Sequence, residues 1–291
     1  MAETFDLPDF PSRVTVSVSP GVLEELREWN KNIDLPEFSK LFLEFPAFGT
    51  WLETLEKELP YQEEVGHPFH DKPYSLKSIR ILSVKWWGPM RRPQGFVMME
   101  ANISNDDKPP KKLPGVVFLR GGSVAVLMVL TPKDDPEERW VIMTTQPRIP
   151  AGTLAFWEIP AGMLDDEAKQ VTLKAQKEIH EETGLTVPYH ELKDMTKMAL
   201  ESATVNQNLQ PAMYPSPGGA DEYIHLLVWE KQMSRMNVMD LREKLTGLRA
   251  QGEMITLKLV PYQDLWKEGA RDSKTLAAWA LYEGLKREGR L

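Results

Sequence analysis

Residues 177–185 read KEIHEETGL and give the first clear indication of the fold. Their three glutamates, Glu178, Glu181 and Glu182, are spaced i, i+3 and i+4. Such positions are neighbours on one face of an α-helix. Gly184 follows, and glycine is favoured just past a helix C-terminus. The segment therefore predicts the last turns of a helix that carries a row of carboxylates and ends near residue 183.

The glutamate row is a candidate metal site. Like charges at these spacings repel one another, and a divalent cation would remove that repulsion. Taken alone, an acidic stripe is more often a solvated helix face. Residues 158–165 favour the metal site, because EIPAGMLD reads as a strand end and a tight loop whose carbonyls can face the same cation. Since the chain has no cysteine, any metal must be held by oxygen or histidine.

The bulk composition limits the function further. With 291 residues, 42% hydrophobic and 27% charged, the chain can hold one large or two ordinary domains. A net charge of −8 argues against nucleic acid or an anionic membrane as the main partner, because both require a basic surface. The longest apolar run, Val124–Leu130, is far shorter than the roughly 20 residues that span a bilayer. The acidic N-terminus resembles neither a secretory signal nor an Arg-rich transit peptide, so a cytoplasmic protein is expected.

The chain divides into two predicted domains. The proline- and lysine-rich residues 105–114 mark the boundary. Residues 1–112 form an N-terminal α+β region, and residues 113–291 form the larger domain. The elements predicted in the N-terminal region are helices at Gly21–Asn30 and Phe48–Leu59, followed by a hairpin of strands at Ser78–Gly88 and Gly95–Ile103.

The larger domain is predicted to be a mixed α/β layer structure. Val124–Leu130 is continuously apolar, which indicates a strand buried on both faces. Met254–Val260 alternates, with one face inward and the other outward. The other predicted strands are Val116–Leu119, Trp140–Thr145, Phe156–Ile159, Met195–Ala203 and Glu222–Trp229, and the helices are Glu167–Thr183, Tyr262–Glu268 and Lys274–Arg287.

Residues 162–185 resemble the signature of the Nudix family, G-x5-E-x7-R-E-U-x-E-E-x-G-U with U apolar. The second half matches everywhere except that Lys177 stands for the family's arginine. The first half is one residue longer than the general pattern and has no glutamate at the usual seventh place, where Asp166 or Glu167 could substitute. The exchange of arginine for lysine loses a planar fork that could brace a carboxylate.

The resemblance implies a Nudix α/β/α sandwich with a mixed sheet. It also implies Mg²⁺ or Mn²⁺ as cofactor, with Glu178 and Glu182 as the principal ligands, Glu181 close by and the carbonyl of Ala161 as a further ligand. Hard oxygen ligands of this kind suit both ions. Gly162, which begins the signature, is expected at the substrate site.

Segments outside the signature resemble one branch of the family, the ADP-ribose and nucleotide-sugar diphosphatases. They are residues 145–150 (TQPRIP) and residues 214–219 (YPSPGG), with Asp221 and Glu222 following. Residues 246–253 (TGLRAQGE) are similar to the plant ADP-sugar diphosphatase subfamily in particular. The resemblance covers residues 46–289 and leaves the first 45 unmatched.

The branch resemblance implies roles for individual residues. Glu253 is expected to be the general base, assisted by Glu181, although without the family it would be only an exposed loop acid. Arg148 is expected to contact a substrate phosphate, and the alternative is a surface salt bridge. Glu222 either bonds ribose hydroxyls or simply begins its strand.

The expected reaction is hydrolysis of ADP-ribose or ADP-glucose to AMP and a sugar phosphate. Two alternatives stay open at this point, a UDP-glucose diphosphatase and an ADP-ribose-binding module that has lost catalysis. A decapping role is disfavoured by the acidic balance of the chain. Related enzymes are homodimers in which the N-terminal sheet contributes to the partner's site, which gives residues 78–112 a role.

Overall fold

The computed structural model describes residues 3–8, 10–91, 93–164, 171–203, 208–247 and 254–291. The chain divides into two compact units, each with its own sheet and core. The first holds the described residues up to Gly121 together with residues 208–209 and Ser216–Glu222, and the second holds the rest. The boundary between the two units lies after Gly121, whereas the sequence predicts it after residue 112. The reason is that Val116–Leu119, expected in the second domain, pairs with the N-terminal sheet.

The first unit is built on a five-stranded sheet in the order β1-β2-β3-β4-β5. β2 and β3 are parallel, and the other neighbours are antiparallel. Its strands are β1 (Glu3–Asp6), β2 (Thr15–Val18), β3 (Ser75–Trp87), β4 (Gln94–Ser104) and β5 (Val116–Leu119), and its helices are α1 (Val22–Leu26), α2 (Leu35–Leu43) and α3 (Pro46–Glu58).

The hairpin of β3 and β4 confirms the sequence prediction, α1 lies within its predicted segment, and α3 begins two residues before the predicted Phe48, at Pro46. β1, β2 and α2 were missed. The two strands have only four residues each, too few for a periodic pattern. α2 did carry a start signal, since the side chain of Asp34 accepts a hydrogen bond from the Glu37 N–H at its first turn.

The second unit is built on a mixed sheet in the order β10-β11-β6-β7-β13-β12, with β8 beside β7 and β9 beside β6. β6 and β11 are parallel over their whole length, and the other pairs are antiparallel. The strands are β6 (Gly122–Pro132), β7 (Trp140–Arg148), β8 (Thr153–Glu158), β9 (Ala161–Met163), β10 (Lys193–Asp194), β11 (Tyr223–Met233), β12 (Leu245–Thr246) and β13 (Ile255–Pro261).

Helices cover both faces of this sheet, as the fold prediction requires. They are α4 (Val171–Thr183), α5 (Met195–Leu200), α6 (Arg235–Met239), α7 (Leu265–Glu268) and α8 (Ser273–Arg287). Alternate residues of β6 enter two separate cores, one shared with α4 and α6 and the other with α5 and α8. The α/β/α sandwich is therefore confirmed, and so is the expectation that β6 is buried on both faces.

The prediction of a strand at Met195–Ala203 is wrong, because the segment begins with helix α5. The side chain of Asp194 accepts a hydrogen bond from the Lys197 N–H and so caps the helix. Met195 and Met198 then lie on one helical face and pack in the core shared with α8. The capping residue and the i, i+3 spacing were present in the sequence, but the apolar content suggested a strand.

Candidate active site

The site lies in the second unit, where two central strands separate. β6 and β7 pair only at Val129–Val141 and Leu130–Trp140 and then diverge. The chain from Glu158 to Met163 enters the gap, since Glu158 pairs with Thr144 on β7 and residues 161–163 pair with β6. Strand separation thus brings the EIPAG segment against the glutamate face of α4.

Glu182 is the most deeply buried carboxylate of α4, with 5% of the residue exposed. One carboxylate oxygen accepts a hydrogen bond from the Ala161 N–H at 3.1 Å, and the other accepts one from the Gln146 amide at 3.2 Å. Burial raises the pKa of Glu182 to about 8, and the nearby charges of Glu178 and Glu158 add to the rise.

Glu178 lies one turn earlier on the same face. Its carboxylate pairs with Lys174 at 2.8 Å, yet burial still raises its pKa above the ordinary value. It passes directly over Gly162, where an added Cβ would lie 2.0 Å from the Glu178 Cδ. Glycine at position 162 therefore makes room for Glu178, whereas the expected contact of Gly162 with substrate stays a prediction.

Glu181, the third glutamate of the row, is more exposed than the other two. Lys177 lies 3.8 Å from it, so the residue that replaces the family's arginine neutralises this carboxylate only weakly. The backbone carbonyl of Glu181 accepts a hydrogen bond from the Gly247 N–H at 3.2 Å, and the Thr246 hydroxyl donates to the Glu182 carbonyl. The end of α4 is thereby tied to residues 246–247.

Glu158 was not among the expected site residues, and the structure places it within the same group of charges. It is 2% exposed, and its charge contributes to the raised pKa of Glu182. Arg148 donates to its Oε1 at 2.8 Å, and Lys274 donates to its Oε2. The sequence offered one weak signal, a glutamate directly before the tight loop, but none for Lys274, which is distant in the chain.

Arg148 therefore forms a salt bridge to a buried carboxylate rather than to a surface one. Its side chain is 40% exposed, and its Nη1 makes no hydrogen bond to any described residue. The contact of Arg148 with a substrate phosphate stays a prediction.

Glu222 belongs to the first unit, where it pairs with Arg120 at 3.2 Å. The preceding Asp221 accepts hydrogen bonds from the N–H groups of Arg120 and Gly121 at 2.7 and 3.1 Å. The Gly219 carbonyl accepts one from the Phe118 N–H at 2.8 Å. The loop that follows the Tyr214–Pro215 segment is thus fastened to β5, and the ribose contact expected of Glu222 stays a prediction.

The donor set of the site suits a hard divalent cation, because it consists of carboxylate and carbonyl oxygens. Within the described ranges, no three acidic or histidine side chains are gathered around one point. The carboxylates instead face protein donors, Glu178 toward Lys174 and Glu182 toward N–H groups. Asp166, Glu167 and the expected base Glu253 lie outside the described residues.

Comparison with known proteins decides the family. No protein-family model matches the sequence. The Arabidopsis thaliana protein Nudix hydrolase 14, chloroplastic, is 34% identical over 290 residues, which is 99% of this chain and 83% of that protein. The chain belongs to the Nudix hydrolase family.

As a Nudix hydrolase, the protein is an enzyme of a family that acts on small nucleotide compounds and generally uses divalent metal ions. Among solved structures, one titled "Crystal structure of ADP compounds hydrolase" aligns with a TM-score of 0.42 and 15% identity, over 75% of this chain and 99% of that one. No helix in the described part of this Nudix hydrolase is long and apolar enough to cross a bilayer.

Proposed function

We propose that this Nudix hydrolase cleaves the diphosphate of an ADP-sugar, such as ADP-ribose or ADP-glucose, and releases AMP and a sugar phosphate. The observation that carries the proposal is a pair of carboxylates facing residues 158–162, the buried Glu182 and the partly buried Glu178, each with a pKa raised by burial. A divalent cation relieves the unfavourable burial of such charges. The ADP-sugar class rests on the resemblance of residues 145–150 and 214–219 to that branch.

Mg²⁺ or Mn²⁺ would be held by Glu178, Glu181, Glu182 and the Ala161 carbonyl. When bound, such cations neutralise charge on the leaving phosphate and orient the attacking water. The chain positions the ligands, since the Ala161 N–H and the Gln146 amide fix the two oxygens of Glu182.

Two further residues complete the proposed chemistry. Arg148 binds a phosphate oxygen through the part of its guanidinium that Glu158 leaves unused. Glu253 removes a proton from the attacking water, with Glu181 beside the reacting groups. The bonds of Thr246 and Gly247, which precede Glu253 in the sequence, to the end of the acidic helix α4 support this role.

The test measures AMP release from ADP-ribose and ADP-glucose with Mg²⁺, alongside UMP release from UDP-glucose. Glu182→Gln should lower kcat/KM for the preferred substrate by about two powers of ten, or about 2.7 kcal/mol of transition-state stabilisation. Glu137→Gln, an exposed change in the same unit, is the matched control. Wild-type turnover by the Glu182 variant would contradict the metal assignment.

The same measurements separate the alternatives. A higher kcat/KM for UDP-glucose than for either ADP-sugar would contradict the proposed preference for adenine over uracil nucleotides. Tight ADP-ribose binding without turnover under Mg²⁺ and Mn²⁺ would identify a binding module instead of an enzyme for this substrate class.

We further propose that the protein is a homodimer that associates through the outer face of the first unit's sheet. Trp87, Phe96 and Phe118 make a chain of ring contacts on this face, with centroids 5.1 and 5.2 Å apart. Met98 and Val116 extend it, and Val116 is 58% exposed. A contiguous apolar face of this kind is typical of a protein interface.

Sedimentation equilibrium tests the dimer. Met98→Asp should shift the protein toward monomer, because a charge would be buried at the centre of the interface. Val65→Asp, at an exposed position of the same unit, is the control. A monomeric wild type, or a dimeric Met98 variant, would contradict this assignment.

The cytoplasmic location expected from the sequence stays a prediction, since the Arabidopsis relative is named chloroplastic.

A further inference from the structure

Glu158 has a separate cation on each carboxylate oxygen. Arg148 reaches Oε1 through both Nε and Nη2, each at 2.8 Å. The Lys274 ammonium donates to Oε2. An arginine beside a carboxylate with two free oxygens commonly binds both in a fork. Here Lys274 takes the second oxygen, and both Nε and Nη2 of Arg148 lie beside Oε1.

Lys274 is held in place by the start of helix α8. Its side chain is 12% exposed, and it also pairs with Asp272 at 2.9 Å. Asp272 accepts further hydrogen bonds from the N–H and hydroxyl of Thr275, and that hydroxyl accepts one from the Ile159 N–H at 3.2 Å. A lysine buried this far requires close ionic partners, because burial removes its hydration. The start of α8 is thus fastened to residues 158–159.

The contacts also balance charge beside the glutamate row. Glu158 and Asp272 carry two negative charges, and Arg148 and Lys274 carry two positive ones. The charge of Glu158 is felt at Glu182. Removing Lys274 alone would leave one uncompensated negative charge next to the carboxylates of α4, and Arg148 would be the only cation left on Glu158.

We propose that Lys274 is a positioning residue, which occupies Oε2 of Glu158 and shares the neutralisation of that carboxylate with Arg148, so that the positive charge of Arg148 remains available to the substrate diphosphate. The inference rests on the proposed function and extends it to a residue in another helix. It assigns Lys274 two effects of opposite sign. Lys274 strengthens the binding of an anion at Arg148, and it weakens the binding of a cation at the glutamates.

Lys274→Met tests both effects, because methionine has a similar length and no charge. Affinity for AMP, measured by calorimetry without metal, should fall on the order of tenfold, since Arg148 is then the only cation that neutralises Glu158 and its charge is less available to a phosphate. Affinity for Mn²⁺, measured by electron paramagnetic resonance, should rise on the order of three- to tenfold, because the site gains a negative charge. KM for ADP-ribose should rise more than kcat falls.

Two variants keep the test decisive if Lys274→Met is unstable. Lys274→Arg retains the charge and should keep the Mn²⁺ affinity within about twofold of wild type. The double variant Glu158→Gln with Lys274→Met removes both charges, so its two affinities should return toward wild type. Lys286→Met, which removes an α8 lysine paired with Glu230, is the control.

Several outcomes would overturn the proposal: AMP and Mn²⁺ affinities both unchanged in Lys274→Met, both lowered together, or a double variant that behaves like the single one. A wild type that binds AMP and Mn²⁺ but hydrolyses no ADP-sugar would refute the proposed function alone. The binding comparison would still decide the role of Lys274 in that case. A wild type that binds neither probe would refute both.

Discussion

At the scale of single residues, Glu182 shows the strongest conflict between burial and charge in the site. Only 5% of the residue is exposed, and the charges of Glu178 and Glu158 act on it. Two N–H donors lower its pKa, but they do not offset the burial. The residue is therefore ready for a cation and costly to ionise without one.

This conflict predicts how stability depends on pH. The folded-state pKa of Glu182 is raised from 4.5 to about 8, so the folded protein binds more protons than the unfolded chain between those values. The free energy of unfolding of the metal-free protein should therefore fall as pH rises through this window, by at most about 1.4 kcal/mol per pH unit from this group. Urea unfolding in a chelator at several pH values measures it.

Two controls belong to this experiment. Glu182→Gln should flatten the pH dependence, because glutamine does not ionise. Mg²⁺ should restore stability to the wild type at high pH, since the cation binds only the folded site. A metal-free wild type whose stability rises with pH across this window would contradict the raised pKa of Glu182.

At the scale of elements, the approach of α4 to β9 determines where Glu178 lies. The approach depends on a missing side chain, because a Cβ at position 162 would lie 2.0 Å from the Glu178 Cδ. Neither element shows this contact by itself. The signature glycine is thus explained by packing between a strand and a helix, without any special backbone angle at this position.

Gly162→Ala should therefore displace Glu178 while leaving the fold intact. We expect turnover to fall at least about tenfold, or about 1.4 kcal/mol, with a smaller effect on thermal unfolding because the Glu178 side chain can swing away. Gly284→Ala is the matched control, since nothing lies within 4 Å of its added Cβ and alanine favours the helix. Unchanged turnover in Gly162→Ala would mean that the position of Glu178 is unimportant.

Elements also show how far local patterns predict structure. The alternating residues of β13 and the continuous apolar run of β6 both predict strands correctly. Side chains of a strand alternate between its two faces, so burial on one face or on both leaves a recognisable pattern. The sequence of α5 favours a strand because its six residues are too few for the helical period to outweigh their apolar composition. Strand β5 was expected in the wrong sheet, since nothing local specifies a pairing partner.

At the scale of the whole molecule, described residues among the first 45, those of helix α2 above all, are part of the core of the first unit. Phe38 and Phe42 of α2 are completely buried and stack on each other, with ring centroids 5.9 Å apart. The Phe38 ring also stacks on Trp86 of β3 at 5.5 Å. The first unit therefore depends on residues that the family resemblance left unmatched.

Phe42→Ala should accordingly destabilise the first unit by about 3–5 kcal/mol, the usual cost of removing a buried aromatic ring. Urea unfolding followed by tryptophan fluorescence measures the change. Val65→Ala, at a residue that is 93% exposed, should change stability by less than about 0.5 kcal/mol. A loss below about 1 kcal/mol in Phe42→Ala would contradict the structural role given to the N-terminal residues.

Features that depend on neighbouring residues can be predicted from the amino-acid sequence: the glutamate row of α4, the end of α4 at Gly184, the apolar strands and the resemblance to the Nudix family. Only the tertiary structure showed that Glu158 lies near the glutamate row and that Lys274 donates a hydrogen bond to Glu158. Those groups lie 116 residues apart and meet because β6 and β7 diverge and α8 packs behind the gap. A contact made by chain folding leaves no spacing in the sequence, whereas helix and strand periods do.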